Sequence, residues 1–441
     1  MRRSIYVFLL FLPTLSGQDR ARPAVPLDPV GAVIDAFRSH AIVALGEGSH
    51  GNEQAHSFRV ALVLDPRFAA AVNDIVVEFG SAQYQDVMDR FVRGDEVPQA
   101  SLRRVWQDTT QPDTIWDVPI YEEFFRAVRT ANASLLRERQ LRVLLGDPPM
   151  DWNAGVRQMP DRDAHAVEVI RREVLAKGRR ALVIYGDQHL IRQNTVAGAP
   201  DPSARGIVGQ LEREGTTKVF SIHTETRLDL GTLQPDAASW PRPSLALIRG
   251  TVLGAADFPA GPGRPVRNED QFDAFLYLGP PSRITISQLP RALCSDREYM
   301  EMRLGRMATL RPPPDAPFTP VDRLKEYCLL PAGDAEIPDR EPRITELIRE
   351  TLRDAAEGKV DVDRIAPESR ERLALFLQRR GPMFLRPMGE LQSLVLLAEA
   401  NVDGKRIRRY RAVFAGGQRM IWVVGISPEA TIVSLDPRDR N

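Results

Sequence analysis

The sequence predicts an α/β protein, a largely parallel sheet flanked by helices, followed by a smaller α+β domain built on an antiparallel sheet. Three observations predict it. From residue 28 to about 280, short apolar runs alternate with longer amphipathic stretches, the pattern of βαβ units. The last stretch of chain instead runs helix, helix, then four strand-like segments separated by glycine turns. A chain of 441 residues also exceeds one ordinary core.

Seven strands are expected in the first part: Ala41 to Leu45, Ile75 to Val77, Leu141 to Leu145, Ala181 to Tyr185, Val219 to Ile222, Leu245 to Ile248 and Ala274 to Leu278. Each is a short apolar run of the kind buried in parallel sheets. Helical periodicity falls between them, at Ser57 to Leu64, Tyr121 to Leu136 and Ala164 to Lys177. This domain is taken as 28–290. A Pro-rich linker, 291–342, follows, with one packing helix near Asp296 to Met307. In the C-terminal domain, 343–441, helices at Arg343 to Glu357 and Pro367 to Arg379 precede strands at Glu390 to Glu399, Arg406 to Ala415, Arg419 to Gly425 and Thr431 to Leu435. Asp403-Gly404 and Gly416-Gly417 supply the turns. The basic run Lys405, Arg406, Arg408, Arg409, Arg411 reads as a solvated edge strand, with an anionic ligand as the rival.

Composition narrows the class. Lys and Arg number 59 and Asp and Glu 59, so no net charge draws the chain to nucleic acid or anionic lipid. With 43% hydrophobic and 27% charged residues it is an ordinary globular sequence. Residues 1–17 read as a signal peptide: Arg2-Arg3, an apolar run from Ile5 to Leu12, then small residues. That run is well short of the roughly 20 residues that span a bilayer. No stable membrane span is expected, and the protein is placed in the periplasm or medium. There Cys294 and Cys328 could form one disulfide, worth about 3 to 4 kcal/mol by loop closure.

In open parallel sheets, ligands bind beyond the carboxyl ends of the strands. Four such ends carry polar groups: Gly46-Glu47-Gly48-Ser49-His50-Gly51, Glu78, Gly146-Asp147 and Gly186-Asp187-Gln188-His189. Buried charges need partners, and a shared polar site supplies them. Taken singly, Glu47 and Asp147 could cap helices, and His189 could be a core histidine. Gly46 to Gly51 fits a dinucleotide-binding loop, but Glu47 would repel a pyrophosphate there. Ser49 has Glu47 where a nucleophile elbow needs glycine, so it reads as scaffolding. What remains is a water polarised by a histidine whose tautomer a glutamate sets. Asp147 and Asp187 are the expected substrate-binding carboxylates. Trp106, Trp116 and Trp152 read as core more than pocket, His56 as solvated, and His223 as a reserve candidate.

The stretch Val43 to Gly51 resembles the G-E-x-x-H-G signature of the erythromycin esterase family, within the superfamily that includes ChaN-like haem-binding and Tiki-like proteins. Glu78 lies where that family has its second glutamate and Arg59 where it has a site arginine. Phe91-Val92-Arg93-Gly94 is similar to its Y-V-x-G segment, Arg129 to Asn132 to its R-x-x-N, and Gly186 to Leu190 to the second histidine segment. The C-terminal helix and strand order, with Gly389 to Ser393, resembles NTF2-like domains.

The resemblance implies an exported hydrolase cleaving an ester or amide, in a small molecule or peptide, by water activated at a His/Glu site. His50 would be the base, Glu47 and Glu78 would hold imidazole and water, and His189 and Arg59 would stabilise the oxyanion or leaving group. The same Glu47, His50, Glu78 and His189 could instead hold a divalent metal ion. Alternatives within the superfamily are a ChaN-like haem or iron-binding protein and a metal-dependent Tiki-like protease. Only 42 positions separate Asp147 from His189, too few for the helical insertion of macrolide esterases. Substrate capture and homodimer formation are both open for the C-terminal domain.

Overall fold

The computed structural model describes residues 21–438 apart from 154–159, 194–205, 214, 216, 227–229, 259–265, 311–318, 332, 403–404 and 416. The signal peptide reading therefore lies outside the described residues. Among those residues, no helix is long and apolar enough to cross a membrane.

All seven expected strands form: β1 (Ile42–Gly46), β2 (Asp74–Ser81), β3 (Arg142–Asp147), β4 (Ala181–Tyr185), β5 (Val219–Glu225), β6 (Ser244–Leu247) and β7 (Ala274–Tyr277). They build one sheet in the order β3-β2-β4-β1-β5-β7-β6, parallel except where β6 runs against β7. Successive residues of each strand feed opposite faces. Val43, Leu45, Ile75, Val77, Leu182 and Ile184 pack with Phe58, Leu62, Phe124 and Phe125 on one side. Ile42, Ala44, Val76, Val183 and Ile170 pack on the other. Both faces are covered, which is why the strands read as continuous apolar runs.

The order of strands positions the site. β4 lies between β2 and β1, in parallel register with both, so the exits of all three lie side by side. The helix Glu53–Leu64 starts close behind β1 because the Asn52 side chain accepts from Ala55 N at 2.8 Å and caps it. Arg129 and Asn132, on the helix Pro119–Ala133, reach the other short motif directly. Arg129 donates to the carbonyls of Phe91, Gly94 and Asp95, and Asn132 Nδ2 to that of Val92. Gly94 ends its helix at φ 105, a conformation that favours glycine.

The linker differs from expectation in holding a second helix, Pro320–Leu329, after the expected one at Arg297–Ala308. Pro320 stands at the first helical position, inside a capping box made by Thr319 and Asp322. Cys294 and Cys328 are bridged, with their Cα atoms 5.4 Å apart, and tie this helix back to the segment before Arg297. The linker is also pinned to the first domain by a buried ion pair. Asp117 accepts from Arg303 Nε at 2.7 Å and Nη2 at 2.6 Å, and from the Tyr299 hydroxyl at 2.5 Å.

In the C-terminal domain, the helices Pro342–Ala356 and Arg370–Leu385 precede β8 (Leu391–Val402), β9 (Lys405–Phe414), β10 (Arg419–Ile426) and β11 (Ile432–Arg438). The second helix begins and ends later than the periodicity predicted. The strands form an antiparallel sheet in the order β11-β10-β9-β8. Tyr410, Ala412, Trp422 and Val424 face the helices, against Ile348, Leu352 and Leu377. Ile407, Ile421 and Val423 face Leu330 of the linker.

The basic run is not an edge. β9 is interior, paired on both sides, and its arginines alternate between the two faces. Arg408 is buried and bound to Glu399 at 2.8 Å, with Asp339 at 3.2 Å. Arg409 turns to the opposite face, toward the first domain, and is 8% exposed. A strand with this charge tolerates burial because carboxylates and carbonyls are brought to it.

Candidate active site

The loop after β1 folds back so that Glu47 enters the protein and His50 stands above it. Gly48 and Gly51 adopt φ of 70 and 78, which allows the tight reversal. Glu47 is fully buried, and its two oxygens are both engaged. Oε1 accepts from Arg59 Nη1 at 3.0 Å, and Oε2 pairs with His50 Nδ1 at 2.8 Å. Burial alone would raise the Glu47 carboxyl; the Arg59 charge and the His50 hydrogen bond outweigh it and hold the group ionised. An ionised Glu47 only accepts, so Nδ1 of His50 carries a proton and Nε2 is left to meet a water.

Glu78 closes the other side. Its Oε2 accepts from Gly186 N at 2.7 Å and its Oε1 from Arg162 Nη2 at 2.7 Å. His189 Nε2 lies 3.4 Å from the same Oε1, while its Nδ1 contacts Asp163 at 2.5 Å. A methyl carbon built on Gly186 would sit 3.3 Å from His50 Cε1, 3.4 Å from Glu78 Oε2 and 3.6 Å from His189 Cδ2. Three side chains, from the exits of β1 and β4 and from within β2, thus converge on one point, and glycine keeps it open.

Both histidines are shifted upward. Burial pulls His50 down, but the hydrogen bond and charge of Glu47, with the charge of Glu78, carry it to about 9. For His189 burial again opposes, and Asp163 and Glu78 win, raising it. At neutral pH the His50 ring holds its second proton in the free protein. Trp116 meets His50 edge-on, ring centres 4.8 Å apart, fixing the imidazole plane.

Several expected residues play other parts. Arg59 is 1% exposed and is held against Glu47 inside the protein. Asp147 accepts from Thr110 N at 2.6 Å, Thr110 Oγ1 at 2.7 Å and Arg162 Nε at 3.0 Å. Asp187 accepts from Gly48 N at 2.8 Å and Thr224 N at 2.9 Å and lies 2.7 Å from His223 Nδ1. Both carboxylates, expected to bind substrate, are taken up by the protein itself: one braces Arg162, the other the β1 loop. His56, expected in solvent, is buried against Glu123 at 3.1 Å, and burial next to Arg59 depresses it to about 4. Trp106 is core, and Trp152 lies under Arg306. Arg162 and Asp163 were not anticipated, since they open a helix instead of following a strand. The only signal was their place in the first turn of a helix after Asp161, its N-cap.

The four residues expected to hold a metal reduce to three. Glu47, His50 and Glu78 offer atoms within 4.8 Å of one another, and His189 is not among them. Arg59 and Arg162 already stand against the two carboxylates, at 3.0 and 2.7 Å, and compete with a cation for their charge. The set would hold a divalent ion only against that competition.

A cavity of about 390 Å³ opens on His50. Gly51, Asp113 to Ile115, Val118 and Ile286 to Leu289 form its wall on the first domain; the linker and the second sheet form the rest, including Leu330, Arg409 and Val423. Its size is at the small end of the roughly 300–1,000 Å³ of small-molecule sites.

No protein-family model matches the chain, and no curated protein does. Three solved structures are similar in part. A Bacillus cereus protein has a TM-score of 0.42 at 11% identity over 61% of this chain and 97% of its own. A succinoglycan biosynthesis protein has 0.42 at 10% over 60% and 96%. A histidine-to-asparagine mutant of the erythromycin esterase EreC, in its open conformation, has 0.41 at 12% over 59% and 94%.

Proposed function

We propose that this protein hydrolyses an ester or amide bond in a small molecule, using water activated at His50. The observation that carries the reading is the Glu47–His50 contact of 2.8 Å, from a fully buried carboxylate to an imidazole at the mouth of a cavity. It fixes the tautomer and leaves Nε2 as the base. The water oxygen attacks the carbonyl carbon as its proton passes to Nε2. The oxyanion formed is met by the His189 imidazole, whose Nδ1 is anchored on Asp163. The bond to the leaving oxygen or nitrogen then breaks, and His50 returns the proton to it. Arg59, Arg162 and Asp147 act as positioning residues through Glu47 and Glu78.

Export is part of the same proposal. The leader pattern of residues 1–17 supports it, and so does a disulfide, which persists in oxidising compartments.

The test is a panel of small esters and amides. Turnover is expected to survive full EDTA treatment, with less than about one tenth of an equivalent of metal in the purified protein by elemental analysis, in keeping with the two guanidiniums beside the carboxylates. Loss of turnover on chelation, restored by a divalent ion, would overturn the metal-free route.

A further inference from the structure

The cavity wall that faces His50 is basic, and half of its positive charge is unmatched. Arg291, Arg323, Arg409 and Arg438 all line it. Arg323 and Arg438 share Asp436, at 2.5 and 2.6 Å, and Arg438 also holds Glu326 at 2.6 Å. Arg291 and Arg409 have no ion pair among the described residues. Arg409 gives one nitrogen to the Gly333 carbonyl, and its Nε has no partner. Arg291 donates Nη1 to the carbonyls of Tyr327 and Leu330, stacks 4.0 Å over the Tyr327 ring, and its Nε too has no partner.

Two guanidiniums held near each other beside Leu330, Ile421 and Val423 are costly, because each loses water and repels the other. Burial and the nearby Arg291 both weigh against the charge on Arg409, and Asp334 only partly offsets them. The natural remedy is an anion, for which the planar guanidinium fork is suited. Asp113 and His50 line the same cavity from the first domain.

We propose that Arg291 and Arg409 bind an oxyanion of the substrate, a carboxylate or a phosphate. The substrate class is then a small anionic ester or amide, held by its charge against the second domain with its carbonyl at His50. The assignment of the reacting end rests on the hydrolase reading; the anion site does not.

The experiment is calorimetric titration of the full-length protein with benzoate, phenyl phosphate and, as the neutral control, benzamide. At least one anion is expected to bind ten times more tightly than benzamide, and the tighter one names the group. Arg409→Met should weaken that anion at least tenfold and leave benzamide unchanged. Should Arg409→Met fail to fold, Arg291→Gln carries the same expectation. Anions that bind no better than benzamide, or that bind both variants as they bind the wild type, would overturn the proposal. Because no turnover is measured, failure of the hydrolase reading would show separately, as absence of His50-dependent hydrolysis.

Discussion

Replacing His50 by Ala is expected to lower kcat/KM by about 10²- to 10⁴-fold, the range a positioned general base contributes. The fold should hardly notice. The His50 side chain is 31% exposed, and Glu47 keeps its bond to Arg59 when the imidazole is gone. The thermal midpoint should therefore stay within a few degrees of wild type, well inside the effect of a typical core deletion. Measured together, hydrolysis and melting separate chemistry from folding. A variant that keeps its turnover would remove His50 from the reaction; one that loses both would show only that the loop is structural.

The largest effect on stability is expected from Asp117→Ala. The change strands the Arg303 guanidinium, 1% exposed at its side chain, with no carboxylate. Breaking such a buried pair from one side costs about 3–5 kcal/mol. Urea denaturation should report that loss, and the double variant Asp117→Ala with Arg303→Met should recover part of it, since both charges then leave together. The consequence reaches the site, because Asp117 follows Trp116, the ring that sets the plane of His50. A cost below about 1 kcal/mol for the single change would mean that the linker is anchored elsewhere.

Much of the geometry of the candidate site is visible in the order of residues because it depends on strand ends. Glu47, Glu78 and His189 each follow an apolar run, and parallel neighbours bring such exits together. Asp147 and Asp187 share that signature yet serve the scaffold. Spacing cannot tell which carboxylates are saturated by Thr110, Gly48 or Thr224. Arg162 and Asp163 were hidden for the converse reason: they arrive from a helix start distant in sequence. The basic run in β9 misled because charge alternation is the same on an edge strand and on an interior one. Only pairing with β8 and β10 distinguishes them. The helix Pro320–Leu329 shows the same limit, as a proline ends one helix and begins another.

The claim at the centre is that an ionised Glu47 holds His50 as the base, and the pH dependence of kcat/KM tests it most directly. Below about 9 the imidazole keeps its proton, so activity should climb about tenfold per pH unit from roughly 6 to 8 and level near 9. In Glu47→Gln the charge that favours the proton is gone, and the levelling point should move down by more than about one unit. A profile that levels near 6.5 in both proteins, or that falls as pH rises, would contradict the account.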